Sequence, residues 1–270
     1  MSVDPTNRPA PDAAPPPGRN VFHDVFLTFT DPVRVFFNLP RVNRSTSALV
    51  LLLATQVLLG WMMVKTGVYA YEVRRQAAKA AAAHVKAHEA DDDPNIALDA
   101  ADQIEKTAEF QVIFNQAMRM IGRPLLTLMT VGLFAGILFV AVALAGGKPK
   151  MAIATGIVAF ASLVQIPHDA IKLYLTGRTY HSRVEVSAAA FPEKLGGADG
   201  VSLWKYLALR RLNPFDLWYW WLVHLGARRG ARMSTRGATI TVLLMMMLDL
   251  LAQSGLDYAE LAIQPPPQEK

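Results

Sequence analysis

The strongest constraint on this chain is a series of apolar blocks separated by charged stretches, each block near or at the length that crosses a bilayer. A helix needs about 20 apolar residues for that crossing. One water-soluble core would not gather its apolar residues in this way, and a disordered chain would lack them. Composition agrees. Hydrophobic residues make up 52% of the 270 and charged residues only 18%, with a mean hydropathy of +0.23. A soluble domain carries about a quarter of its residues as charges. The sequence therefore predicts an all-α integral membrane protein. It contains no cysteine, which excludes disulfide scaffolds, thiolate metal sites and cysteine nucleophiles.

Residues 1–20 are rich in Pro and Ala without apolar periodicity and read as a disordered N-terminus. They lack the apolar core of a secretory signal. Residues 21–44 follow as an amphipathic interfacial segment. Phe22, Val25, Phe26 and Phe29 fall at helical spacing, Pro32 interrupts, and Val33, Phe36 and Phe37 resume the pattern. Each half is too short to span, so two helices lying on the membrane are expected. Residues 45–66 form the first span, flanked by Arg41 and Arg44 before it and by Trp61 and Lys65 at its far end.

Residues 67–123 read as an extramembrane helical hairpin. Its first arm is Ala-rich and strongly helix-forming. The run Asp91-Asp92-Asp93-Pro94 breaks it, with Asp93 placed to cap the next helix and Pro94 in its first turn. Ala97, Ala101, Ile104, Ala108 and Phe114 mark a face of the second arm that would pack on the first. Residues 124–252 then carry spans two to five. Span two covers 124–146. Span three covers 151–175, with a kink expected at Pro167. Span four starts at Asn213 or Pro214 and stops short at Arg228 and Arg229, and span five covers 237–252. Between spans three and four, residues 201–212 form a short amphipathic piece around Trp204 and Lys205. Residues 253–270 are expected to be a mobile tail.

Five spans put the termini on opposite sides. The cations before span one (Arg34, Arg41, Arg44), between spans two and three (Lys148, Lys150) and between spans four and five (Arg228, Arg229, Arg232, Arg236) share one face. Positive loops stay inside, so the N-terminus is expected in the cytoplasm and the C-terminus outside. The net charge of +5 and pI near 9.5 follow from these flanking cations, which form no single stripe, so no nucleic-acid partner is expected.

The segment from Leu212 to Leu251 has an Asn-x-Phe-x-x-Trp start at Asn213, Phe215 and Trp218, an apolar run to Leu225-Gly226, a basic turn and a closing span. It resembles the last two spans of Ypt-interacting (Yip) domain proteins. Phe29-Thr30-Asp31-Pro32 through Phe36-Phe37-Asn38-Leu39-Pro40, followed by a first span, is similar to the start of the prokaryotic members. The resemblance covers residues 25–66 and 124–252. It implies a membrane bundle without catalytic residues in a prokaryotic inner membrane. In eukaryotic relatives it implies Rab-type GTPase partners, but no Asp-Leu-Tyr-Gly-Pro element precedes the first span here and the 67–123 insert is an addition.

The ionisable residues in or near the spans are the candidates for chemistry: His168, Asp169, Lys172, Asp216, His224 and Asp249. A charge at mid-bilayer costs about 2.5–3.5 kcal/mol on insertion scales, so such residues need partners or water. Lys172 is placed to meet Asp216 or Asp249 in the outer leaflet. That cluster would be an ion or proton site, or more simply a structural pair. His84 and His88, at i and i+4, are a weak candidate for zinc or copper without the Glu of a metalloprotease helix. Trp218, Trp220 and Trp221 read as an interfacial aromatic belt. The consecutive Met245, Met246 and Met247 suit packing better than a copper site, and Gly132 with Gly136 invites a close helix contact. No phosphate loop, nucleophile elbow or dinucleotide fingerprint is present. The expectation is a non-enzymatic membrane organiser or partner-binding protein without a cofactor, embedded in the lipid bilayer, with a protein partner or a homo-oligomer. The alternative is a small transporter or channel subunit using the polar cluster.

Overall fold

Helix is the only regular structure among the described residues, and four stretches are long and apolar enough to cross a membrane: Ser45–Lys65, Leu98–Leu144, Met151–Thr179 and Thr235–Ala252. The computed structural model describes residues 20–40, 44–87, 94–179, 187 and 213–263. The N-terminal Pro/Ala stretch before residue 20, Asp91 to Asp93, and the amphipathic piece at 201–212 lie outside them.

Helices α1 (Val21–Thr30) and α2 (Pro32–Asn38) start where short polar side chains can cap them. The Asn20 carboxamide oxygen accepts from the His23 N–H at 2.8 Å. Asp31 closes α1 by donating its N–H to the Leu27 carbonyl and opens α2 by accepting from the Arg34 N–H, with Pro32 in the first turn. The two helices do more than rest on a surface. Val35, Phe36 and Leu39 are buried, α2 packs against the helix at Pro214–Arg229, and Leu39 lies over Gly156. Phe22 and Phe26 point outward. Asp24, itself buried, is paired with Arg44 at 2.7 Å, tying α1 to the start of the first span.

Helix α3 (Ser45–Lys65) buries a narrow stripe of Ser45, Ala48, Leu52, Gln56 and Gly60 at spacings of three and four. Its other faces, with Val50, Val57 and Leu58, are open, as a lipid-facing span requires. Lys65 reaches back over the Trp61 ring at its end. The chain then passes Gly67, whose φ of +66° is left-handed and costs glycine nothing, into α4 (Val68–Ala87). Helix α5 (Pro94–Ala117) packs along α4. It runs without a break through a π-helical turn, Met118–Gly122, into α6 (Arg123–Leu144). Arg74 near the start of α4 grips Glu109 near the end of α5 through two contacts of 2.7 and 3.1 Å, so the two helices run antiparallel. The packed face of α5 is Ala108 and Val112. Phe114, assigned to that face from sequence, is exposed and stacked on Phe110. The buried stripe steps by four from Ala108 to Val112, and two further residues carry Phe114 about 200° around the helix.

Helix α7 (Met151–Ser162) is buried on every side from Gly156 onward, surrounded by α3, α6 and the helix at Pro214–Arg229. It ends at a turn, Leu163 and Val164, before α8 (Gln165–Thr179). The break expected at Pro167 therefore falls four residues earlier. Proline has no N–H to give the carbonyl at i−4, which is Leu163, and its ring crowds that carbonyl. The local bonds shorten to i−3 accordingly, Leu163 to Phe160, Val164 to Ala161 and Ile166 to Leu163.

Helix α9 (Pro214–Arg229) is capped by the Asn213 side chain on the Phe215 N–H. Its 16 residues span about 24 Å. It buries Tyr219, Trp220, Leu222, Val223, Gly226 and Ala227. Gly226 is required there, because a Cβ would stand 2.5 Å from Ile157 of α7. Helix α10 (Thr235–Ile263) packs on α9 and α6 and continues past residue 252, where the sequence placed the start of a mobile tail.

Candidate polar site within the bundle

Pro167 and the break before it present His168 and Asp169 on the first turns of α8. Asp169 is only 4% exposed, yet its carboxylate is well served. The Arg123 guanidinium donates to Oδ1 at 2.6 Å, and the His168 Nδ1 lies 3.2 Å from the same oxygen. The His168 ring is held edge-on to Phe215 at 5.5 Å. Arg123 is the first residue of α6, so this ion pair joins the second apolar stretch to the third across 46 residues of chain.

The surroundings are also polar. One turn before Arg123, Arg119 donates from Nε to the Asn115 oxygen at 2.6 Å and lies over the Tyr69 ring. Its backbone carbonyl sits where a Cβ on Gly60 would be, at 2.5 Å, so α3 and the π-helical turn touch backbone to backbone. The antiparallel contact of Gly60 with Arg119 carries Gln56, one turn back on α3, toward the level of Arg123. Gln56 is buried near the middle of its span, and neither its amide nitrogen nor its carbonyl oxygen has a hydrogen-bond partner among the described residues. Thr176, two turns along α8 from Asp169, also has a buried hydroxyl without a partner there. An unmet polar group in a water-poor interior costs about 1–3 kcal/mol. Two unmet atoms on one buried side chain mark a place suited to a water.

The residues singled out from sequence divide. His168 and Asp169 come together, with Arg123 as their third member. Lys172 on α8, Asp216 in the first turn of α9 and Asp249 on α10 are each half-buried, and each is engaged by a neighbouring group. Tyr219 is buried, and nearby on α7 the Ser162 hydroxyl donates to the Val158 carbonyl at 2.8 Å. The tryptophans split by depth. Trp220 is buried edge-on against Phe134 and Tyr219, Trp218 is half-buried against Phe29, and Trp221 is 51% exposed. Met245 is wholly buried while Met247 faces out. His84 is half-buried on α4, and His88 lies outside the described residues. Among the described residues no group of three or more His, Asp or Glu is placed to hold a metal. Gly132 and Gly136 do not mark a close helix contact; a Cβ on either would meet nothing within 4 Å. The close approaches are made by Gly60 and Gly226.

Sequence reasoning missed Arg123 and Gln56. Arg123 stands immediately before Pro124 and reads as an ordinary flanking cation. Gln56 was the better signal, as a lone carboxamide in the apolar run Leu51 to Trp61.

No family model, curated protein or solved structure matches this chain.

Proposed function

We propose that the chain is a non-enzymatic, five-span membrane protein of Yip-domain type whose α4–α5 pair is an extramembrane hairpin that binds a protein partner. The observation that carries this reading is length. The helical run Leu98–Leu144 holds 47 residues, about 70 Å, more than twice the roughly 30 Å of a hydrocarbon core. Pro124 to Leu144 suffices to cross, so α5 and its companion α4 are left to project. That projection carries a stripe of exposed Phe110, Ile113 and Phe114, an apolar surface with no use in a monomer standing in water. In this reading α9 is the fifth span, short but ended by Arg228 and Arg229, whose long side chains snorkel to the interface. The cytoplasmic side is the end that carries Lys148, Lys150 and Arg232. A prokaryotic inner membrane is the setting that the resemblance supports.

The test uses the full chain in its native cells with a photo-crosslinking residue at Phe114. One defined protein should be captured, and a Phe110→Ser change should lower its yield about tenfold or more, the loss expected from one buried aromatic contact. Membrane insertion should be unchanged. Crosslinks to lipid alone, or the same proteins with and without Phe110, would refute the reading.

A second reading, a small transporter or channel subunit, is favoured by the buried, unmet Gln56 amide on α3 and by the Arg123–Asp169–His168 group, with Lys172 further along α8, Asp216 on α9 and Asp249 on α10. Proteoliposomes carrying a pH dye would then show a flux that Asp169→Asn abolishes in folded protein. Equal leak through both proteins removes it.

A further inference from the structure

At the basic end of the bundle lie two hollows. One is a cavity of about 550 Å³ lined by Lys148, Lys150 and Arg232, together with Pro40, Gly147 and Gly230. The other is an apolar groove of about 840 Å³ between α6 and α10, running past Gly132, Gly136, Val140, Ile240 and Leu244. Their linings include sequence neighbours. Arg232 lines the cavity and Met233 the groove, while Val142 lines the first and Ala141 the second. Neither hollow has an acidic residue among its described lining.

Two local features shape the cavity. Gly146 and Arg232 both take left-handed backbone, at φ +73° and +57°. Glycine does so freely, but for arginine the conformation is uncommon and carries strain. Arg232 in this conformation lines the same cavity as Lys148 and Lys150. The groove in turn is open because of its glycines. A Cβ on Gly132 or Gly136 would meet nothing, so the channel along α6 is free for an outside group.

We propose that these hollows form one binding site for an anionic phospholipid, with the phosphodiester head in the Lys148–Lys150–Arg232 cavity and an acyl chain along the Gly132–Gly136 groove. Three cations with no acidic residue among the described lining select an anion. An apolar groove whose lining includes sequence neighbours of the cavity's, within two apolar helices, selects an anion that carries a chain. The inference rests on the bundle lying in a membrane and is independent of what the α4–α5 pair binds.

The test is photolabelling of the full chain in phosphatidylcholine nanodiscs, using a phosphatidylglycerol analogue with a diazirine in its acyl chain. Label should appear on α6 and α10 along the groove. Unlabelled phosphatidylglycerol should displace it, and phosphatidylcholine and inorganic phosphate should not. K148A/K150A should weaken groove labelling about 25-fold, from about fivefold for each cation near the headgroup. R229A/R236A removes equal charge from the same end without touching the cavity, and should weaken it far less. G136L puts a branched side chain into the groove at a position where its Cβ meets nothing within 4 Å, and should abolish groove labelling while the protein stays folded. Displacement by phosphatidylcholine would overturn the proposal by showing a non-selective lipid surface, and displacement by inorganic phosphate by showing a small-anion site. Equal losses in the two charge variants, or normal labelling of G136L, would overturn it as well.

Discussion

Removing Arg123 should harm the protein far more than removing the charge of Asp169. The pair is lopsided: the Asp169 side chain is 4% exposed and that of Arg123 is 46% exposed. Arg123→Met strands a buried carboxylate whose remaining close neighbour is the His168 ring. Breaking a buried pair in this way costs about 3–5 kcal/mol, and the His168 contact places this case near the lower end, about 3 kcal/mol. Asp169→Asn instead strands a guanidinium that is already half in the open. That group can swing to the interface, and the carboxamide still accepts a hydrogen bond, so the loss is about 1 kcal/mol. The difference of about 2 kcal/mol is about a 30-fold difference in the unfolding equilibrium. Reversible unfolding in bicelles, followed by circular dichroism, reads it directly. The double variant Arg123→Met/Asp169→Leu should be more stable than Arg123→Met alone, because no charge is left buried. An Asn variant as damaged as the Met variant, or a double variant showing the plain sum of both losses, would refute the account.

Two further contrasts follow from packing. Gly60→Ala places a methyl 2.5 Å from the Arg119 carbonyl, which is backbone and cannot swing away, and should cost about 1–3 kcal/mol. Gly132→Ala meets nothing and should be neutral or stabilising by up to about 1 kcal/mol, both read in the same unfolding assay. Trp220→Ala should cost about 3–5 kcal/mol, since the ring is buried against Phe134. Trp221→Ala, half open to the surroundings, should cost about 1 kcal/mol or less, seen as a much smaller fall in Tm.

Where a feature depends on local chemistry, the sequence was readable. Apolar run length located the four long stretches, Pro32 separated α1 from α2, and Pro94 opened α5. What escaped depends on which helix stands opposite. Phe36 and Phe37 have the spacing of an amphipathic surface helix, yet Phe36 is wholly buried and Phe37 exposed, because α2 packs into the bundle against α9 through one side only. Trp220 and Trp221 are neighbours of one type and differ only in the 100° that separates them around α9. A small-residue spacing identifies a thin helix face but not its occupant, so Gly132 and Gly136 line an open groove while Gly60 makes the close contact. Arg123 and Asp169 could not be paired from sequence, since a charge beside a span is usually explained by topology alone.

The polar site and the α4–α5 pair are parts of one construction. On one side the chain is broken by Gly67, whose left-handed turn separates α3 from α4. On the other side α5 enters α6 through Met118–Gly122 with no interruption of helix. A π-helical turn adds a residue to the local repeat and rotates everything beyond it. Here the rotation lies between Val112, which faces α4, and Arg123, which faces Asp169. Arg119, inside that turn, is clasped by Asn115 and Tyr69 while its carbonyl meets Gly60. The turn therefore does two jobs with one residue. It aims the buried face of α5 at α4, and it aims the first cation of α6 at the one carboxylate of α8 that is buried.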